Sequence, residues 1–219
     1  MDHISYAAGL DLGEMRDYSA FTVIQKEGKH NAHYTIRYLH RWPKRTPYPN
    51  IVKDVKNLFF RPPLSGSPLC IDATGVGRAV VDMVRQEGID GRMIPITITG
   101  GLKVNRHGGE VSVPKKDLVG VLQVLLGTRR ITIPPKLPFA DILTEELQNF
   151  QTKVNQKTLH ESSGVWREGL NDDLTLSVSL CAWWMERLGA IGPMLRILPF
   201  SASEKKPLLK ILVTSLDKL

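Results

Sequence analysis

Two short apolar runs in this chain each carry an aspartate within them or at their end: Gly9-Leu10-Asp11-Leu12-Gly13 and Cys70-Ile71-Asp72-Ala73-Thr74-Gly75. A third acidic step, Asn171-Asp172-Asp173-Leu174, opens a long apolar stretch. The first two read as buried strands and the third as the start of a buried helix. A carboxylate in such surroundings is costly unless it is paired, hydrogen-bonded or bound to a metal. The fold must therefore bring these segments together or give each carboxylate a partner of its own. If the strand ends and the helix start meet, the carboxylates share one site, and a site that negative needs divalent cations, preferably two.

A chain of 219 residues can fill one core, and a second full domain would be cramped. Hydrophobic content of 42% with 23% charged residues is that of a soluble globular protein. The formal net charge of +7 suits an acidic polymer as partner. Cys70 and Cys181 both lie in apolar runs and read as small core residues of a reducing compartment, not as a disulfide or a metal pair. Met1-Asp2-His3-Ile4-Ser5 lacks the basic-then-apolar pattern of a signal peptide. No apolar stretch approaches the roughly 20 residues of a membrane helix. The expectation is a cytosolic protein with no membrane partner.

Tyr6 to Leu12 and Ala20 to Gln25 are predicted strands, joined by a polar loop that holds Asp17. His33 to Arg41 is a third, with Tyr34, Ile36 and Tyr38 alternating against Thr35, Arg37 and Leu39. Together they predict an antiparallel meander. After Pro43, Pro47 and Pro49 a helix is expected from Asn50 to Phe60. Pro68 to Ala73 is a fourth strand, followed by a helix through Arg85 and a fifth strand from Met93 to Ile98. Pro95 assigns that last strand an edge position or a strand start. The strand–helix–strand order is a right-handed parallel crossover.

Gly100 to Ser112 reads as an exposed hairpin or loop, and Val113-Pro114-Lys115-Lys116-Asp117 opens a helix with Pro114 in its first turn. Further helices are predicted over Ala140 to Phe150 and Asp172 to Leu188, the latter with Trp183 and Trp184 in the core. Arg130 to Ile133 is a short extended segment, and a last hairpin is expected around Ser162-Ser163-Gly164. Residues 1–189 then form one α/β domain, a mixed central sheet of antiparallel meander and parallel strands flanked by helices, with 190–219 as a tail.

Asp11, at the centre of the first predicted strand, and Asp72, at the tip of the fourth, come side by side if their strands are neighbours, and Asp172 or Asp173 could point at the same spot from a helix N-terminus. Two divalent ions can share a carboxylate and clamp an in-line displacement at phosphorus. Magnesium and manganese suit all-oxygen sites, whereas zinc would want a set of His or Cys ligands that is missing here. Each aspartate also has a local reading. Asp11 could initiate a turn before Gly13, and Asp72 could cap the next helix through Thr74-Gly75. Asp172 and Asp173 suit a helix dipole, and Asp17 suits a solvated loop. Taken as a set, the three segments outweigh these separate readings.

These residues resemble the nuclease domain of the large terminase subunit of tailed bacteriophages, a ribonuclease H-like fold shared with Holliday-junction resolvases and retroviral-type integrases. Gly9 to Gly13 with Arg16-Asp17-Tyr18-Ser19-Ala20 looks like that family's first metal-binding strand and second acidic position. Ile71 to Gly77 looks like its second aspartate motif, Val113 to Leu118 like the start of its next helix, and Asn171 to Leu174 like its final metal-binding pair. The resemblance covers Tyr6 to Leu188. It implies Asp11, Asp72 and Asp173 as catalytic metal ligands, Asp172 and Asp17 as auxiliary ones, and two Mg2+ or Mn2+ ions. It also implies endonucleolytic cleavage of concatemeric viral DNA during genome packaging. The partners it implies are double-stranded DNA, the terminase small subunit, the packaging ATPase and the portal, in the cytoplasm of a phage-infected or prophage-carrying bacterium. Large terminases carry an N-terminal packaging ATPase, and this sequence has no Gly-x-x-x-x-Gly-Lys-[Ser/Thr] loop. The chain is thus an excised domain or a free-standing nuclease, and translocation is not implied for it.

Lys103, Arg106, His107, Lys115, Lys116, Arg129 and Arg130 follow the fifth strand, and all are individually compatible with a solvated face. The glycine-flanked hairpin makes Lys103, Arg106 and His107 candidates for DNA contact, while Lys115 and Lys116 could meet a phosphate near the metals. Lys44 and Arg45 are a second, weaker pair, and His160 and His107 are candidate proton-relay groups. Two other classes compete: an actin-like or sugar-kinase ATPase, because Gly-Leu-Asp-Leu-Gly also resembles that superfamily's phosphate strand, and a catalytically silent DNA-binding packaging protein.

Overall fold

The computed structural model describes residues 3–14, 17–75, 77–89, 93–157 and 172–190. Three antiparallel strands, β1 (Ile4–Asp11), β2 (Ser19–Glu27) and β3 (His33–Trp42), form the predicted meander. Helix α1 (Tyr48–Phe59) follows, started by Pro47 at the N-cap. Next come β4 (Leu69–Asp72), α2 (Gly77–Gln86) and β5 (Met93–Thr99), with β4 and β5 parallel to β1 as the crossover requires. A hairpin of β6 (Asn105–His107) and β7 (Glu110–Pro114) leads into α3 (Lys115–Gly127), then β8 (Ile131–Thr132), α4 (Ala140–Lys157) and α5 (Asp173–Ala190). The strands make one mixed sheet in the order β6-β7-β5-β4-β1-β2-β3-β8.

Both faces of the sheet are covered. Ala8, Leu10, Phe21, Val23, Leu69 and Ile71 pack against α1 and α2 through Ile51, Val55, Val80 and Val84. Ala7, Ala20, Ile24, Tyr34, Ile36 and Leu39 pack on the other face against α3, α4 and α5 through Leu122, Leu143 and Val178. Strand alternation then decides where the acidic tips point. Leu10 and Ile71 face α1 and α2, so Asp11 and Asp72, one residue on, face the α5 side.

Three expectations need correction. Leu39 does not oppose Tyr34 and Ile36: all three lie in the same core. The pairing of β2 with β3 shifts between Val23 and Ile24, from Val23–Tyr38 to Ile24–Ile36, so Arg37 is an extra residue that reverses the alternation beyond it. Pro95, in turn, sits within an interior strand. Its missing N–H is tolerated because β5 pairs with β7 only from Ile96 onward, leaving Pro95 with β4 as its neighbour. Pro114 is the last residue of β7 and the N-cap of α3, one position before the expected first turn. The predicted hairpin around Ser162-Ser163-Gly164, His160 and the tail beyond Ala190 lie outside the described residues.

Candidate metal centre

The candidate site lies where β1 and β4 end. Leu10 pairs with Ile71 in the parallel register, so Asp11 and Asp72 leave adjacent strands at the same level and on the same face. Both are buried, at 6% and 7% exposure. Local geometry fixes each one. Asp11 is the last residue of β1, paired across to Ala20, and not at the strand's centre as expected. Asp72 Oδ1 accepts a hydrogen bond from the Thr74 amide at 2.8 Å, an Asx turn that ends β4. The helix then starts hard against that turn, because a Cβ at Gly77 would fall on the Asp72 carbonyl oxygen. This bond is made to the Thr74 amide, ahead of α2 and not within it, and the carboxylate lies beside Asp11.

The third carboxylate arrives by a close helix–strand crossing. α5 packs on β1 and β2 at Gly9, where any Cβ would collide with the Ser177 carbonyl oxygen, and the Ser177 hydroxyl bonds Thr22 Oγ1 at 2.6 Å. That contact is one helical turn from the N-terminus of α5 and brings Asp173 over the strand tips. Asp173 is buried at 6%, whereas Asp172, whose carbonyl accepts the Leu176 amide at 2.8 Å, is half-buried. Asp17 is exposed in the β1–β2 loop, and its charge still reaches Asp173.

Two further residues complete the cluster, and the sequence did not single them out. Glu146, on α4, is buried at 6% between Leu143 and Leu147, and its Oε2 accepts the Thr175 amide at 2.9 Å. Arg41 pairs with Ala20, which pairs with Asp11, so these three form one row across β3, β2 and β1. Arg41 Nη2 donates to Asp173 Oδ2 at 2.7 Å and lies 3.7 Å from Glu146 Oε1, with its guanidinium stacked 3.8 Å from the Tyr18 ring centre. The bulge at Arg37 is what turns Arg41 to this face. A glutamate inside an apolar helix stripe was the available signal for Glu146; Arg41 had none.

The electrostatics are those of crowded acids. Burial, followed by repulsion from Asp72, Asp173, Asp172 and Glu146, holds the Asp11 carboxyl well above the usual range. Burial also raises Asp173, against the pull of its bond to Arg41. Glu146 is pushed up to about 7, mainly by burial, with the Thr175 amide and Arg41 opposing and Asp173 adding to it. Oxygen-only donors of this density fit magnesium or manganese and not zinc. No three His, Cys, Asp or Glu among the described residues are gathered closely enough to hold an ion as they stand, and Asp173 is bonded to Arg41.

The basic residues divide by the end of the sheet they occupy. Because β1, β4, β5 and β7 run parallel, Lys115 and Lys116, just after β7, share the carboxylate end, Lys115 half-buried and Lys116 exposed. Lys44, beyond the end of β3, is there too, 4.7 Å from the Tyr18 ring centre, and Arg45 follows it. Lys103, Arg106 and His107 are exposed on the far-edge hairpin. Arg129 and Arg130 depart from the expected basic cluster. They precede β8, which pairs with the start of β3 at the opposite end, and Arg130 is engaged with Glu186 at 3.0 Å. Trp183 and both cysteines are core residues as expected, while Trp184 is half-buried, with Arg106 5.9 Å from its ring centre.

No protein-family model and no curated protein matches the sequence. Solved structures do match. The large terminase nuclease from thermophilic phage G20c is 19% identical, with a TM-score of 0.52 over 81% of this chain and 81% of its own. The human cytomegalovirus terminase nuclease domain, Mn soaked, is 12% identical, with a TM-score of 0.53 over 86% of this chain and 87% of its own. The fold is ribonuclease H-like. At these identities the likeness is one of fold, and within it the ribonuclease H-like sheet presents Asp11 and Asp72 on neighbouring strand tips beneath the start of α5. No helix among the described residues is long and apolar enough to cross a membrane.

Proposed function

We propose that the chain is a metal-dependent DNA endonuclease of terminase type, cutting concatemeric viral DNA during packaging. One observation carries the reading: Asp11 is buried with its charge opposed by Asp72, Asp173 and Glu146, at the tips of a sheet shared with two terminase nuclease domains. Asp11, Asp72 and Asp173 are the proposed ligands of two Mg2+ or Mn2+ ions, with Asp172 and Asp17 as auxiliary groups. When bound, such ions polarise the scissile phosphate and lower the pKa of an attacking water.

The chain's own residues supply the rest. Asp11 and Asp72 are held rigidly by strand pairing and by the Thr74 turn, which fixes the donors before substrate arrives. Asp173 rides on α5, whose seat at Gly9 sets its height over the strands. Lys115, Lys116 and Lys44 share that end of the sheet and offer cations to the DNA backbone, where contacts position the duplex without reading its sequence. Lys103, Arg106 and His107 extend the proposed DNA surface along the far-edge hairpin.

The test is nicking of supercoiled plasmid by the 219-residue chain in Mn2+, with Asp72→Ala alongside. Cleavage that disappears in the variant is the expected result. Cleavage unchanged by the substitution would refute the nuclease reading. ATP hydrolysis without nicking would favour the ATPase alternative, and DNA binding without either activity the silent packaging protein.

A further inference from the structure

Arg41 has two carboxylates within reach and is bonded to one of them. Its Nη2 donates to Asp173 Oδ2 at 2.7 Å and stands 3.7 Å from Glu146 Oε1. All three side chains are nine-tenths or more buried. Two polar atoms in this group have no hydrogen-bond partner among the described residues: Arg41 Nε and Glu146 Oε1. Each is expensive to leave unpaired in the interior. A shift of the guanidinium toward Glu146 would pair them with each other, since an Arg fork meets a carboxylate through two parallel N–H bonds. Glu146 is anchored for this by the Thr175 amide on its other oxygen, and Tyr18 offers a flat face on which the guanidinium can slide.

We propose that Arg41 is a switchable counter-cation: it holds Asp173 while no divalent ion is present and passes to Glu146 when an ion claims Asp173. The inference rests on the nuclease reading, because it takes Asp173 as a metal ligand. Arg41 is then a positioning residue and Glu146 its second station, so neither is a ligand. A buried cation that competes for Asp173 keeps the acidic cluster from flying apart without metal, and Glu146 lowers the penalty for releasing it. Without Glu146, freeing Asp173 would strand a buried guanidinium.

The experiment is a double-mutant cycle on Mn2+ binding to the full chain, followed by titration calorimetry without DNA. Glu146→Gln keeps the size of the side chain and an acceptor for the Thr175 amide. It is expected to weaken Mn2+ binding about tenfold in the parent, the scale of coupling between contacting charged groups. Arg41→Met is expected to tighten it, because the rival cation is gone, and in that background Glu146→Gln should have a much smaller effect. Equal weakening by Glu146→Gln in both backgrounds would overturn the proposal and make Glu146 a direct participant at the metal. No weakening in either would overturn it too. If Arg41→Met does not fold, Arg41→Lys takes its place: its point charge cannot form the fork, so the coupling to Glu146 should shrink, and full coupling would sink the idea. Asp72→Asn separates the two levels. Mn2+ binding lost in Asp72→Asn with an additive cycle removes this inference alone, whereas a parent that binds no Mn2+ removes the nuclease reading with it.

Discussion

The backbone carbonyl of Ser177 occupies the space that a side chain on Gly9 would need. This contact sets how close α5 lies to β1 and therefore how far Asp173 stands from Asp11. Gly9→Ala should destabilise the fold by about 3 kcal/mol or more, since backbone on both sides of the clash must move. Urea unfolding measures the loss. Metal affinity should fall with it in whatever fraction remains folded. A Gly9→Ala variant of parental stability would show that α5 can sit higher on the sheet than described.

Asp11, a proposed metal ligand, is buried against its own charge. Its carboxyl is kept above the ordinary range by burial first and by four neighbouring acids after that. Asp11→Asn removes the charge and keeps the shape, so the metal-free protein should become more stable, by about 1–2 kcal/mol. The same substitution should abolish Mn2+-dependent nicking. Loss of activity together with loss of stability would mean instead that Asp11 serves the fold.

The raised carboxyls also set a pH dependence. Glu146 titrates near 7 in the folded chain against 4.5 for an ordinary glutamate, and Asp11 and Asp173 shift the same way. Between those values these carboxyls bind more protons in the folded chain than in the unfolded one, so their contribution to stability falls as pH rises, whereas His40 and Glu186, both shifted down, contribute in the opposite sense. In metal-free thermal unfolding, the stability of the parent relative to Glu146→Gln should therefore decline from about pH 4.5 to about pH 7. Mn2+ should flatten that difference by favouring the charged carboxylates. A parent that gains stability relative to Glu146→Gln through this window would contradict the crowding of acids at this site.

Lys115 and Lys116 share the carboxylate end of the sheet, whereas Arg130 is tied to Glu186 at the opposite end. Replacing both lysines by alanine should lower the magnitude of the salt slope of DNA binding by about 2, one for each phosphate that is no longer neutralised. Arg130→Gln should leave that slope alone and cost about 1 kcal/mol of stability. Filter binding over a range of KCl concentrations distinguishes them. Equal slopes for the parent and the double-lysine variant would place the DNA elsewhere, with the β6–β7 hairpin the next surface to test.

Much of this architecture was legible in the chain because it depends on local rules. The apolar run ending in Asp72 marks a strand tip, the crossover makes the fourth and fifth strands parallel, and Asp172-Asp173 before an apolar run marks a helix start. That both aspartates lie on one face follows from the β1–β4 register, in which Leu10 pairs with Ile71. What the chain did not disclose depends on contacts between distant segments. The extra residue at Arg37 can be recognised only from the β2–β3 register, and it moves Leu39 and Arg41 to the α5 side. Pro95 looks like an edge residue until the β7 pairing is seen to begin one position later. Glu146 reads as an ordinary member of an amphipathic helix until α4 packs on α5 and delivers it to the Thr175 amide. Asp72 and Asp173 of the candidate site were thus marked in the sequence by a strand end and a helix start and Asp11 by its apolar run, whereas Glu146 was not. The cation that balances them came only from tertiary structure, because a bulge and a helix packing choose its partners, and neither leaves a local pattern.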